Sequence, residues 1–262
     1  MDTSLADLGF SVRAIDVLGV RIHDVTLGEA VAICRAAIRA DRPLRIVTPN
    51  AEFVMAAQKD TRFRETLNAS SLAIPDGAGL LLAGRLLRTP LREQVAGTDL
   101  ADRLAELSAA EGHRLFLLGA PPGVAEAAAL RLVERHPGLI VAGTFAGDGT
   151  QAGDAETRTR LRQAGRVDVI LVAYGVKKQE AWMARNQQEI GIPVAMGVGG
   201  VFDFFSGRVP RAPALVRRAG FDWLFRLIVQ PWRWRRQLAL PRFVAAVTAA
   251  AIARRVGAAR DR

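Results

Sequence analysis

The chain is poor in the residues that build metal and redox centres. Of its 262 residues one is cysteine, Cys34, and three are histidine, His23, His113 and His136. A lone thiol cannot form an intrachain disulfide, and the histidines stand too far apart for metal-ligand spacing. No metal and no cofactor is expected. Also missing is the D-x-D pair through which many sugar transferases chelate a metal diphosphate, and so is any G-x-x-x-x-G-K-[ST] loop. GAPPG (119–123) and GVGGVFD (197–203) follow strand-like runs, but neither completes G-x-G-x-x-G. A nicotinamide-dependent oxidoreductase is therefore disfavoured. Ser206 and Cys34 have no His/Asp pattern nearby that would make either a nucleophile. The longest apolar run near the end, 243–253, is about half of the ~20 residues a membrane-spanning helix needs. The first ten residues carry acids where a signal peptide carries bases. The expectation is a cytoplasmic protein.

What is present is a globular chain, 50% hydrophobic and 24% charged, with a net charge of +10. That charge is concentrated at one end. Residues 207–262 hold thirteen arginines, no lysine and two acids, whereas residues 1–206 are close to neutral. The same tail carries Trp223, Trp232 and Trp234, three of the four tryptophans. Proline at 231 and 241 divides it into short helices. Arginine beside tryptophan suits an interfacial element, with aromatic rings at headgroup depth and guanidinium groups on anionic lipid. Two other readings stay open at this level: a solvated basic face of ordinary helices, and a nucleic-acid surface. Exposed Arg/Trp surface could also drive homo-oligomer formation.

Within residues 1–206, short aliphatic runs at 44–48, 71–75, 114–119, 139–143, 168–175 and 193–200 alternate with helical patterns. Strand–helix alternation with runs apolar at every position predicts an α/β fold: a doubly wound, mostly parallel sheet covered on both faces. Ligands in such sheets bind beyond the carboxyl ends of the strands. Thr48 and Asn50, Asp76, Gly119, Gly143, Tyr174 and Gly197 fall at those ends and are expected to line one crevice. Each has a plain structural reading as well. Asn50 suits a helix N-cap, Asp76 a turn, and Lys177 and Lys178 a solvated helix start. A carboxylate at a strand end is equally the place for a general base, and Gln179 in a first helical turn can bond a ligand.

Taken together, TPNAEFVMAAQKD, PDGAGLLLAGRLL, VAGTDL, LFLLGAPPG, the KKQE segment and GVGGVFDFFSGRVPRAP with FDWLFRLIVQPWRWRR resemble the WecG/TagA/CpsF glycosyltransferases in order and spacing. The resemblance runs from about residue 17 to 244. It implies a Rossmann-like, UDP-sugar-binding core (1–206) and a basic helical C-terminal appendage (207–262) that closes the site and holds the membrane. It implies an inverting, metal-independent hexosyltransferase using a UDP-sugar donor and a polyprenyl-diphosphate-linked acceptor at the inner face of the cell membrane. N-acetylmannosamine is the commonest donor sugar of the family, and glucose is also used. By the same resemblance Asp76 matches the catalytic base, Thr48 and Asn50 pocket residues, and Gln179 a glutamine near the donor. Asp203 matches a nucleoside contact, and Arg226, Arg233 and Arg236 match tail bases that meet the diphosphate.

The chain departs from the family pattern at two places. Gln94 stands where an arginine usually precedes V-x-G-x-D-L, so either Arg92 substitutes or phosphate recognition differs. Lys177 replaces a proline in the loop before Gln179. The reading set against the transferase is a nucleotide-binding α/β module whose basic tail binds nucleic acid.

Overall fold

The computed structural model describes residues 3–213, 215–216 and 222–260, without the side chains of 226, 233, 235, 237 and 256–260. Its centre is a six-stranded parallel sheet. The strands are β3 (Leu44–Val47), β4 (Leu72–Ala73), β5 (Arg114–Gly119), β6 (Ile140–Phe145), β7 (Val169–Ala173) and β8 (Val194–Gly197), in the order β4-β3-β8-β7-β5-β6. All six predicted strands are present, and the α/β, Rossmann-like expectation holds. The two-residue pitch of a strand splits each run between two cores. Leu115 and Leu117 enter one and Phe116 and Leu118 the other; Leu171 and Val172 divide in the same way.

The first core is closed by α1 (Leu27–Arg39), α5 (Gly97–Glu111), α6 (Val124–Arg135) and α9 (Val201–Phe205). The second is closed by α2 (Ala51–Ala57), α3 (Thr61–Asn68), α4 (Ala78–Leu86), α7 (Asp154–Gln163) and α8 (Lys178–Ile190). Local chemistry sets the helix starts. Thr26 and Glu29 form a reciprocal capping box on α1, Asn50 caps α2 and Asp60 caps α3.

The pattern reading did not include an N-terminal hairpin. β1 (Ala14–Val17) and β2 (Val20–His23) pair antiparallel around Leu18-Gly19, both at positive φ. Leucine is an unusual occupant of a left-handed turn position, so no Asn-Gly or Asp-Gly signal marks the bend. Ile15, Val17, Val20 and Ile22 bury themselves in the second core. His23 joins the hairpin to the main sheet, its Nδ1 accepting from the Ala73 N–H at 2.9 Å.

The C-terminal segment comprises α10 (Asp222–Val229), a 3-10 turn (Pro231–Arg233), α11 (Trp234–Gln237) and the long α12 (Ala239–Arg260). Pro231 opens the 3-10 turn and separates α10 from α11, but Pro241 divides nothing: it lies in the first turn of the 22-residue α12, where the missing N–H has no intrahelical partner to lose. Along α12, Phe243, Val247 and Ala251 recur every fourth residue and are buried in the second core against α2 and α4. Residues beyond 239 thus share a core with the hairpin and α2, while α10, the 3-10 turn and α11 carry the exposed Ile228, Trp232 and Trp234. A truncation after Gly207 would remove core as well as surface. Phe243→Ala is expected to cost about 3–4 kcal/mol, read as a lowered urea midpoint at unchanged m-value. No shift in the midpoint would contradict this packing.

Candidate functional site

The loops at the carboxyl ends of β3, β4, β5, β7 and β8 surround a cavity of about 890 Å³. Thr48, Asn50, Asp76, Tyr174, Gln179, Asp203 and Arg236 all line it. Asp76 and Thr48 end adjacent strands. The Asp76 N–H donates to the Pro49 carbonyl at 3.0 Å, fixing one strand end to the other. Thr48 is buried, and its Oγ1 donates to the Gly197 carbonyl at 3.4 Å. Asn50 fulfils its plain reading while standing at the cavity. Its Oδ1 accepts from the N–H groups of Glu52 and Phe53, which leaves the Nδ2 end as the part that can turn to a ligand.

Gly97, in the first turn of α5 between the lining residues Ala96 and Thr98, carries a steric requirement that the sequence does not display. A Cβ there would lie 3.1 Å from Thr48 Cγ2 and 3.7 Å from Asp76 Oδ2. The missing side chain leaves room for the Thr48 methyl, while Asp76 would be in ordinary contact. Gly97 belongs to VAGTDL, so its signal was present in the motif but not its reason.

Four expected positions, Gly119, Gly143, Gly197 and Arg92, are not among the lining residues. Gly143 sits within edge strand β6, where a Cβ would collide with the Phe116 ring at 2.8 Å. It serves packing and is absent from the cavity wall. Gly119 ends β5 at φ +98°, and a Cβ would meet the Ala173 backbone at 2.8 Å; the wall there is formed by Ala120 and Pro121. Arg92 points away from the cavity. Its guanidinium bonds Glu29 at 2.6–2.9 Å and the Asp24 carbonyl at 2.6 Å, whereas Gln94 lines the wall. Arg92 therefore does not stand in for the arginine absent at 94.

Gln179, which lines the cavity, and Gly197, which does not, stand against each other. A Cβ on Gly197 would fall 2.8 Å from Gln179 Nε2, so the glycine makes space for that amide. Gln179 is almost fully buried, with Nε2 donating to Glu180 Oε1 at 2.7 Å and Oε1 accepting from the Gly199 N–H at 2.9 Å.

Charge on the wall comes in pairs. Arg236 makes a two-point contact with Glu52, at 2.7 and 3.0 Å, and Arg211 pairs with Asp99. Arg211 went unnoticed in the sequence because nothing in RVPRAP distinguishes it from a solvated arginine. The side chains of Arg226 and Arg233 lie outside the described residues. Among described lining residues the carboxylates Glu52, Asp76, Asp99, Asp203 and Asp222 outnumber the guanidinium groups of Arg211 and Arg236. No cluster of three or more His, Cys, Asp or Glu positioned for a metal ion occurs among the described residues.

Two buried groups give stability opposite dependences on pH. Burial pushes the Glu180 carboxyl from 4.5 up to about 7, so its contribution is full at low pH and lost as pH rises through that window. Burial, aided by the Arg21 charge, lowers the His23 imidazole from 6.5 to about 4, so its contribution is full above 6.5 and lost as pH falls. The slopes oppose each other between them. Glu180→Gln removes one, and the variant is expected to lose roughly 2 kcal/mol between pH 6.5 and 5, where the parent stays nearly flat. Urea midpoints across pH check this, and parallel curves would refute it.

Comparison with known proteins shows the family. The profile of the glycosyl transferase WecG/TagA/CpsF family matches residues 15–257. A relative from Bacillus spizizenii, named N-acetylglucosaminyldiphosphoundecaprenol N-acetyl-beta-D-mannosaminyltransferase, is 34% identical over 77% of this chain and 77% of its own. A protein of the same name from Staphylococcus aureus is 30% identical over 88% of this chain and 90% of its own. The profile covers the hairpin, the whole sheet, the cavity loops and most of α12. The chain belongs to the WecG/TagA/CpsF family and is a glycosyltransferase.

Proposed function

We propose that this enzyme transfers a hexose, of the N-acetylmannosamine type or glucose, from a UDP-sugar to a polyprenyl-diphosphate-linked saccharide, with inversion and without a metal ion. The names of the relatives support the lipid-linked acceptor. The observation that carries the chemistry is the placement of Asp76 beside Thr48, at adjacent strand ends on one cavity, with Gly97 leaving room for Thr48.

Inversion requires a base on the acceptor hydroxyl and stabilisation of the departing diphosphate on the other face of the sugar. Asp76 takes the proton, a contribution worth about 10²–10⁴-fold. Thr48 and Asn50 orient sugar or acceptor hydroxyls. Tyr174 and Asp203 stand on the part of the wall assigned to the nucleoside. Charge growing on the β-phosphate is met by guanidinium groups and loop N–H donors. Arg236 serves here by exchanging Glu52 for a phosphate, and Arg226 and Arg233 are proposed beside it. Binding the diphosphate therefore competes with an existing ion pair.

Lipid-linked acceptors are reached at a membrane surface. Trp232 is 70% and Trp234 53% exposed, and Ile228 is 71% exposed on α10. No helix among the described residues is long and apolar enough to cross a membrane. We assign these side chains to an interfacial contact, with the arginines of the segment on anionic headgroups.

Transfer from a panel of UDP-sugars to a synthetic polyprenyl-diphosphate monosaccharide, in EDTA, is expected to give product with one donor. Asp76→Asn should reduce turnover by at least ~10²-fold while UDP still binds; retained turnover would remove the base assignment. Replacing Trp232 and Trp234 with serine should weaken binding to vesicles containing phosphatidylglycerol by about tenfold. Unchanged vesicle binding, or preferential binding to RNA at physiological salt, would overturn the membrane assignment. Gly97→Ala should keep the fold but lower turnover roughly ten- to hundredfold, because Thr48 must give way to the added methyl. Wild-type kinetics in that variant would show that the space is not needed.

A further inference from the structure

Glu180 has no exposed surface, yet it carries an ionisable group. Its Oε2 accepts from the Lys177 N–H at 2.7 Å and its Oε1 accepts from Gln179 Nε2 at 2.7 Å. A carboxylate so placed is expensive to bury, and an apolar side chain of the same volume would cost less. The chemistry it offers is that of a group with two acceptor atoms and no obligatory donor. That chemistry decides which way the neighbouring amide points. With Nε2 of Gln179 committed to the carboxylate, Oε1 must face the other way, where it receives the Gly199 N–H at 2.9 Å. A reversed amide would set NH₂ against that N–H.

The chain of contacts crosses from the loop after β7 to the loop after β8. Gly175 and Val176 on one side and Gly199 and Gly200 on the other belong to the cavity wall, and Asp203 follows in α9. Gly197, stripped of a side chain, admits the linking amide and gives its carbonyl to Thr48. We propose that Glu180 is a positioning residue for the donor side of the site: through Gln179 it fixes the Gly199-Gly200 loop and, with it, Asp203. The inference rests on the donor reading given above. It changes the part assigned to Gln179, from ligand contact to the middle of a buried relay.

The test uses the full chain at pH 8, comparing Glu180→Gln, Gln179→Met and the double variant. An amide at 180 can accept only one of the two N–H groups, so the relay loses its sense. Glu180→Gln should weaken UDP binding, measured by calorimetry, by about tenfold, with the same rise in donor KM and no change in acceptor KM. Gln179→Met should show the same loss, and the double variant no further loss, since both cut one path. Hydrogen exchange at the Gly199 amide, followed by NMR, should accelerate at least tenfold in all three.

Losses that multiply, a Glu180→Gln protein that binds UDP like the parent, or a Gly199 amide that stays protected would each overturn the proposal. If Glu180→Gln does not fold, Gln179→Met still decides, because unimpaired UDP binding in it refutes the relay. Failure of the parent to bind UDP would sink the donor reading itself, and Gly199 exchange would then decide whether the relay exists.

Discussion

The parallel sheet has no solvent-facing side, and the site follows from that constraint. Residues of β3, β5, β7 and β8 alternate between two apolar cores, so a polar side chain on these strands has almost nowhere to stand. Groups with chemistry are pushed to the carboxyl ends, where the backbone leaves the sheet and helices begin. Thr48, Asp76 and Tyr174 occupy such exits, and the loop after β8 supplies Gly199 and Gly200. Adjacent strands in register bring the exits of β3 and β4 together, and one hydrogen bond from Asp76 to Pro49 holds them. The juxtaposition of Thr48 and Asp76 is a by-product of strand pairing, refined by glycines that make room for neighbouring side chains.

A second constraint is electrostatic. Five carboxylates on the described wall would repel a diphosphate if they acted alone. Two of them, Glu52 and Asp99, are instead counter-ions for Arg236 and Arg211. The pairs keep long cationic side chains oriented at the cavity in the absence of an anion, which reduces the entropy lost when one arrives. They also join residues after Gly207 to the first turns of α2 and α5.

Much of this was legible in the sequence because it depends on local rules. Strand–helix alternation located every strand of the main sheet, and the carboxyl-end rule found Thr48, Asn50, Asp76 and Tyr174 before any coordinates. The same rule placed Gly119, Gly143 and Gly197 in the crevice, and it did so by treating every glycine near a strand end as a ligand loop. Gly143 is glycine because of Phe116 on the next strand, a contact that sequence cannot display. Arg92 was favoured by nearness to position 94 along the chain, but its side chain turns to Asp24 and Glu29. The hairpin was hidden by Leu18 at a turn position usually marked by glycine or asparagine. Glu180 was unreadable for a different reason: burial of a charged residue depends on the whole fold, while its letter suggests a solvated helix start.

The route of the C-terminus has a consequence for how the protein is made. Phe243, Val247 and Ala251 complete the second core from within the last two dozen residues of the chain. That core contains the hairpin formed by residues 14–23, so elements far apart along the chain must meet to close it. Until they do, the segment bearing Trp232 and Trp234 is tethered at one end only. The tryptophan-bearing surface therefore exists before the fold that fixes its position is finished.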